Sequence, residues 1–209
     1  MKKQKIRKHY YEYVMANKLP PKKLKKFLAF AELSKEDFHV KYESLHAVEL
    51  DIWKHGLKDV LGQLGMSNEF SSYNQRDRGL AFMYSWFEFM DENRRYFRNC
   101  SSMQSSNFMY GSSDFKKILK SFVKKIIKEG MACQEFKQRG MSEKYMCDFF
   151  SGLFFMNLKQ WKRCKLKNKQ KKEEYMDALL EKSMIFFFDS LAPNLFDTFV
   201  DLMKHRQSK

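Results

Sequence analysis

Three prolines and eight glycines in 209 residues are too few for a fold built on tight turns, which excludes most all-β architectures. Cysteine is scarce as well. Cys100, Cys133, Cys147 and Cys164 lie far apart and form no CxxC pair, so neither metal-finger spacing nor a disulfide framework is present. Reduced, mostly buried thiols in a cytoplasmic protein are the expectation. The longest apolar stretches, such as Met184–Phe188, fall far short of the roughly 20 residues that cross a bilayer. The basic N-terminus runs into tyrosines and charges rather than the apolar core of a signal peptide, and no membrane partner is expected. Catalytic patterns are missing too. His9, His39, His46, His55 and His205 form no HExxH arrangement, and neither a P-loop nor a dinucleotide fingerprint occurs. The sequence therefore assigns no catalytic residue, no metal ligand and no cofactor, and the chain is not expected to be an enzyme.

What the chain does contain is helix-forming and basic. Apolar residues make up 44% and charged residues 31%, enough for a core inside a solvated surface. Forty Lys and Arg stand against 25 Asp and Glu, a net charge of +15. Such an excess suits a polyanion partner; it also serves simply to keep a protein with 21 phenylalanines in solution. Where the charge lies decides between the two.

Residues 4–18 read as a first helix with Ile6, Tyr10, Tyr13 and Val14 on one face. Leu19-Pro20-Pro21 ends it, since a residue before proline is pushed out of the helical region, and Pro21 can open a second helix reaching about Ala31. Leu24, Phe27, Leu28 and Ala31 form its apolar stripe. After the short Glu32-Leu33 connection, Ser34 with Asp37 three positions on is a capping pair for a third helix to about Tyr42, Phe38 and Tyr42 inward. Ser44 caps a fourth, running to about Leu64. Residues 65–76 read as a polar junction. Beyond it come a strongly aromatic helix over Asp77–Arg98, a Ser/Asn/Met loop to Ser113 and a stripe from Phe115 to Ile127. Helices over Ser142–Arg163, Lys172–Leu191 and Asn194–Lys204 complete the chain. The expected architecture is all-α: a helix-turn-helix head of three to four helices over residues 1–64, then a bundle of about five over residues 65–209.

Two amphipathic helices joined by a few residues, as at Pro21–Tyr42, make a helix-turn-helix whose second member enters the major groove. The charge is placed to match: residues 1–26 carry ten Lys or Arg against the single acid Glu12. An ordinary helical hairpin with a solvated lysine face has the same spacing. A second basic run, Lys159–Lys172, has eight basic residues and no acid, and it reads as a solvated helix end and loop.

Residues 4–57 resemble the N-terminal head of TetR-type regulators. In Ala31-Glu32-Leu33-Ser34-Lys35-Glu36-Asp37-Phe38-His39-Val40-Lys41-Tyr42-Glu43-Ser44-Leu45, the residues Ala31, Leu33, Ser34, Lys35, Phe38, Tyr42 and Ser44 fit that family's recognition region in kind. The departures are Lys22 and Lys23 for the threonines opening helix two, Glu32 for the turn glycine, His39 for a phosphate-binding tyrosine, and Leu45 for a lysine. Glu36 and Asp37 suit the helix dipole but repel phosphate, although an acid there can accept from cytosine N4. The resemblance implies an operator in double-stranded DNA, contacted by Lys5, Lys22, Lys23, Ser34, Lys35, Glu36, His39 and Lys41. It also implies a homodimer and an apolar small-molecule effector. The expected pocket lining is Phe82, Trp86, Phe122, Phe150 and Phe154, although aromatic stripes at helical spacing are ordinarily core. The expected dimer interface is Leu180, Met184, Phe187, Phe188, Phe196 and Phe199 on the last two helices. Two functions fit: a DNA-binding transcriptional regulator, a repressor by type, or a protein on the same scaffold that handles lipid or isoprenoid without binding DNA. The basic N-terminal segment favours the first; Glu32, Glu36 and Leu45 favour the second.

Overall fold

The computed structural model describes residues 2–100, 114–137, 143–164 and 168–191, and among these all regular structure is helical. In chain order the helices are α1 (Lys3–Asn17), α2 (Leu24–Phe30), α3 (Lys35–His39), α4 (Leu45–Met66) and α5 (Asn68–Ser72). They continue with α6 (Gln75–Glu92), α7 (Arg94–Asn99), α8 (Asp114–Ala132), α9 (Glu143–Arg163) and α10 (Lys169–Leu191). The expected helix over Asn194–Lys204 lies outside the described residues, as do Phe196 and Phe199. Two compact units divide the chain, one of Met1–Met66 with Ser85–Leu119, the other of Ser67–Tyr84 with Lys120–Lys209.

The first unit is organised by a file of rings. α1 buries Ile6, Tyr10 and Val14, α2 buries Phe27 and α3 buries Phe38. Phe27 stands edge-on to Tyr10 at 5.7 Å and to Phe38 at 6.1 Å, and Phe38 meets Tyr42 at 6.2 Å. Fully burying each such ring contributes about 1.5–3 kcal/mol, which fixes three short helices that could not hold their shape alone. On α4, Trp53 is wholly buried among Trp86, Phe97 and Phe115.

Several boundaries differ from the sequence expectation. α2 opens at Leu24 rather than Pro21, because Lys23 is extended (φ −127°, ψ 131°) and no side chain caps the start. α3 ends at His39, three residues before Tyr42. The aromatic helix expected over Asp77–Arg98 begins at Gln75 and breaks at Asn93, whose Nδ2 donates to the Phe89 carbonyl and competes with the helix backbone.

In the second unit the segment expected to be a loop contains α5, capped by Ser67, whose hydroxyl accepts from Phe70 N–H at 3.2 Å. α6 starts against the Glu135 carboxylate, which accepts from the N–H groups of Gln75 (2.9 Å) and Arg76 (3.0 Å). That carboxylate satisfies donors a helix start leaves open and complements its dipole. Arg78 reaches back to the carbonyls of Phe70 and Ser71 and forward to Glu129. Gly79, a poor residue for a helix interior, is required here: a Cβ would come within 2.5 Å of the Phe188 ring. Phe188 stacks on Phe136 at 5.5 Å, and α9 and α10 pack through Phe150 against Phe187.

Candidate nucleic-acid interface

The candidate interface lies in the first unit, around the turn between α2 and α3. Ala31 N–H makes the last ordinary helix bond, to Phe27 O, and Leu33 N–H donates to Leu28 O, the six-to-one bond that closes a helix through a left-handed residue. That residue is Glu32, at φ 51°. The position conventionally taken by glycine thus keeps the glycine conformation while carrying a side chain, at a cost of about 1 kcal/mol. Glu32→Gly is therefore expected to raise unfolding stability by about that amount, read as a shift in the urea midpoint without a change in slope. An unchanged or lowered midpoint would contradict a strained turn.

Ser34 then caps α3 as the sequence indicates. Its Oγ accepts from Asp37 N–H at 3.0 Å, and its hydroxyl donates to the Asp37 carboxylate at 2.9 Å. Phe38 is wholly buried and Tyr42 nearly so, while Ser34, Lys35, Glu36 and His39 are exposed. Lys5 on α1 and Lys22 and Lys23 before α2 are exposed as well; Lys41 is half-buried. All eight expected DNA contacts thus belong to one unit, with α3 presenting its polar face and its aromatic residues turned in.

What locks Tyr42 inward was not visible in the sequence. The Asp51 carboxylate on α4 accepts from the Tyr42 hydroxyl at 2.6 Å and from Arg7 Nη1 at 2.7 Å, with Lys54 and His55 Nδ1 each at 3.5 Å. This hub ties α1, the end of the α3 segment and α4 together. Burial pushes the Asp51 carboxyl up, but the hydrogen bonds from Tyr42 and Arg7 and the nearby charges of His55 and Arg7 outweigh it. The carboxyl is held below the ordinary range. Burial and the Asp51 carboxylate push the Tyr42 hydroxyl upward. A second buried acid, Glu49, accepts from Tyr10 at 3.0 Å and fixes α1 on α4.

Because the folded Asp51 carboxyl is the stronger acid, its contribution is complete above the unfolded value of about 3.9 and is lost as pH falls through the folded one. Asp51→Asn is expected to cost about 2–3 kcal/mol at pH 7 and to flatten the acid limb of stability below about pH 4. Denaturant melts of both proteins at pH 7 and in that acid range test this; parallel pH profiles would refute it.

The expected pocket residues separate. Phe82, Phe122, Phe150 and Phe154 form one ring cluster in the second unit, with Phe82 at 4.8 Å from Phe122, 6.4 Å from Phe150 and 6.0 Å from Phe154. Trp86 belongs to the first unit, against Trp53, Phe89, Phe97 and Phe115. Of the four clustered rings only Phe122 is half-buried; the other three are wholly buried.

Four of the expected dimer residues lie on α10, while Phe196 and Phe199 lie outside the described residues. Leu180, Met184, Phe187 and Phe188 are all buried within the protomer, between 0% and 2% exposed. They contribute to the unit's own core. Outward apolar residues are Tyr175, Ile185 and Phe186 on α10 and Tyr145 and Met156 on neighbouring α9, from 42% to 69% exposed. The helical period distinguishes two apolar sides of α10, but the sequence does not say which faces in.

Residues 78–205 match the family model described as the tetracyclin repressor-like C-terminal domain. No curated relative matches the sequence. Solved structures with a similar fold include one described as a TetR-family transcriptional regulator from Syntrophomonas wolfei. Its TM-score is 0.65 at 13% identity, covering 88% of this chain and 94% of that one. Another is a transcriptional regulator from Cytophaga hutchinsonii, with a TM-score of 0.52 at 15% identity, covering 91% of this chain and 96% of that one. A third is the reduced form of E. coli NemR, with a TM-score of 0.50 at 12% identity, covering 92% and 99%. Those likenesses speak to the fold; the family-model match spans more than half of the sequence, and the chain belongs to the tetracycline repressor-like family of transcriptional regulators.

Proposed function

We propose that residues 1–64 are a DNA-binding head and residues 65–209 a ligand-binding and dimerisation body, together forming a repressor released by an apolar small molecule. The observation that carries this reading is α3 itself. Phe38 on α3 and Tyr42 just beyond it are locked inward by the Phe27 and Asp51 contacts, and the polar face of α3 is exposed beside exposed lysines. Lys5, Lys22, Lys23 and Lys41 hold phosphates; Ser34, Lys35, Glu36 and His39 face base edges. Two copies of the chain present two α3 helices to successive major grooves, roughly 34–36 Å apart. An effector acts by favouring a spacing that no longer fits.

The ring cluster around Phe82 is the proposed effector site, with half-buried Phe122 as the ring that gives way. Native mass spectrometry of protein purified from cells is expected to show a bound apolar molecule, and Phe122→Asp is expected to abolish it. For the head, selection from a randomised duplex library followed by anisotropy at physiological salt is the test. A selected duplex bound at least a thousandfold more tightly than random sequence is the expectation, in the range usual for specific binding. Failure to select any duplex, together with a retained apolar ligand, would favour a lipid- or isoprenoid-handling protein instead, the reading to which exposed Glu32 and Glu36 lend support.

A further inference from the structure

The exposed face of α3 continues into its C-cap, a residue that neither charge nor resemblance singles out. Val40 is 73% exposed, among the largest apolar exposures of the molecule, and it lies between His39 and Lys41 at the end of the recognition segment. Its backbone is still helical (φ −60°, ψ −23°), and its N–H donates to the Glu36 carbonyl at 3.0 Å. Helical periodicity therefore still places side chains here. At about 100° per residue, Glu36 and Val40 each point roughly 160° away from buried Phe38, one above the other at the centre of the outward face. His39 and Asp37 flank that pair on either side, with Lys35 and Lys41 nearer the buried edge. A branched apolar side chain exposed to water among polar and charged neighbours is a poor choice for solubility and contributes little to the core. It fits a surface whose partner is a polyanion carrying isolated methyl groups.

Major-groove DNA is such a partner: the C5-methyl of thymine is the apolar group on its floor, and small apolar side chains read it. We propose that Val40 reads a thymine methyl, and that Glu36 accepts from a cytosine N4 amino group one or two base pairs away. The separation follows from geometry, since one helical turn of about 5.4 Å spans one to two base-pair steps of about 3.4 Å. The inference rests on the DNA-binding reading and goes beyond it by assigning what the outermost pair of α3 recognises.

The test uses the full chain and the duplex selected from a random library. Each thymine of that duplex is replaced in turn by deoxyuridine, which removes only the methyl group. With the natural protein, one position per half-site is expected to lose about three- to fivefold in affinity, the scale of one buried methyl. With Val40→Ala, that position is expected to bind thymine and uracil alike, while Val40→Ile keeps the preference. Val40 is mostly exposed, so circular dichroism of both variants is expected to match the parent. A selected site without a methyl-sensitive thymine, or a sensitivity that persists in Val40→Ala, overturns the proposal while leaving DNA binding intact. If no duplex is selected at all, the DNA-binding reading falls and this assignment with it.

Discussion

Phe187→Asp is expected to unfold the C-terminal unit, whereas Phe186→Asp, one position earlier, leaves it folded and removes only self-association. The two neighbours differ in what surrounds them. Phe187 is wholly buried, edge-on to Phe150 at 5.2 Å and to Phe188 at 5.0 Å. A carboxylate there has no partner and leaves a ring-sized void, a combination costing about 4 kcal/mol or more. Against a total stability of about 5–15 kcal/mol, that is enough to populate unfolded chain at ordinary temperature. Phe186 is 61% exposed and touches Phe149 by one edge. A charge there is solvated in the monomer and costly only where a second copy would cover it. Light scattering should give about twice 25.3 kDa for the parent and a single chain mass for Phe186→Asp with Ile185→Asp. Thermal melts should place that double variant near the parent and Phe187→Asp far below it. A double variant that remains dimeric would move the interface elsewhere; a stable Phe187→Asp would contradict the packing of α9 on α10.

That contrast also marks how far the sequence could be read. Local signals survive into the structure: Ser34 and Ser44 cap α3 and α4, Phe38 and Tyr42 turn inward, and the Phe115–Ile127 stripe is one face of α8. Each depends on residues within one or two turns, where chemistry is written in the spacing. Ser67 and Asn74 are caps of the same kind, and attending to them would have placed α5 and the start of α6 inside the supposed loop. What could not be read depends on distant partners. Asp51 meets Arg7 across 44 positions, and Glu135 caps α6 from 60 positions away. Gly79 looks like a helix weakness until Phe188 is seen against it. On α10 both sides of the helix carry large apolar residues, so periodicity found the helix but not its orientation. Of the proposed interface, the capped α3 and the exposed lysines around it follow from local sequence; the Asp51 hub that turns Tyr42 inward does not.

Replacing Lys22 and Lys23 together by Ala is expected to weaken binding to every duplex alike, selected or random. Both side chains are exposed just ahead of α2, where no side chain caps the helix, so their loss is expected to leave the fold intact. Their proposed partners are phosphates, which carry charge but no sequence. Each phosphate neutralised contributes about 0.9 to the slope of log affinity against log salt, so the double variant should flatten that slope by about 1.8. Taken at 0.1 M salt, the same exponent corresponds to an affinity loss of about 60-fold. The ratio between selected and random duplex should stay within about threefold of the parent, because no base contact has been removed. Lys35→Ala and His39→Ala should do the reverse, changing which site is preferred more than how steeply binding depends on salt. Anisotropy titrations from 0.05 to about 0.3 M salt on both duplexes separate the two patterns. An unchanged slope for Lys22→Ala with Lys23→Ala would remove these lysines from the phosphate backbone. A collapse of the selected-to-random ratio would instead make them base readers and place the α2 entry, rather than α3, in the groove.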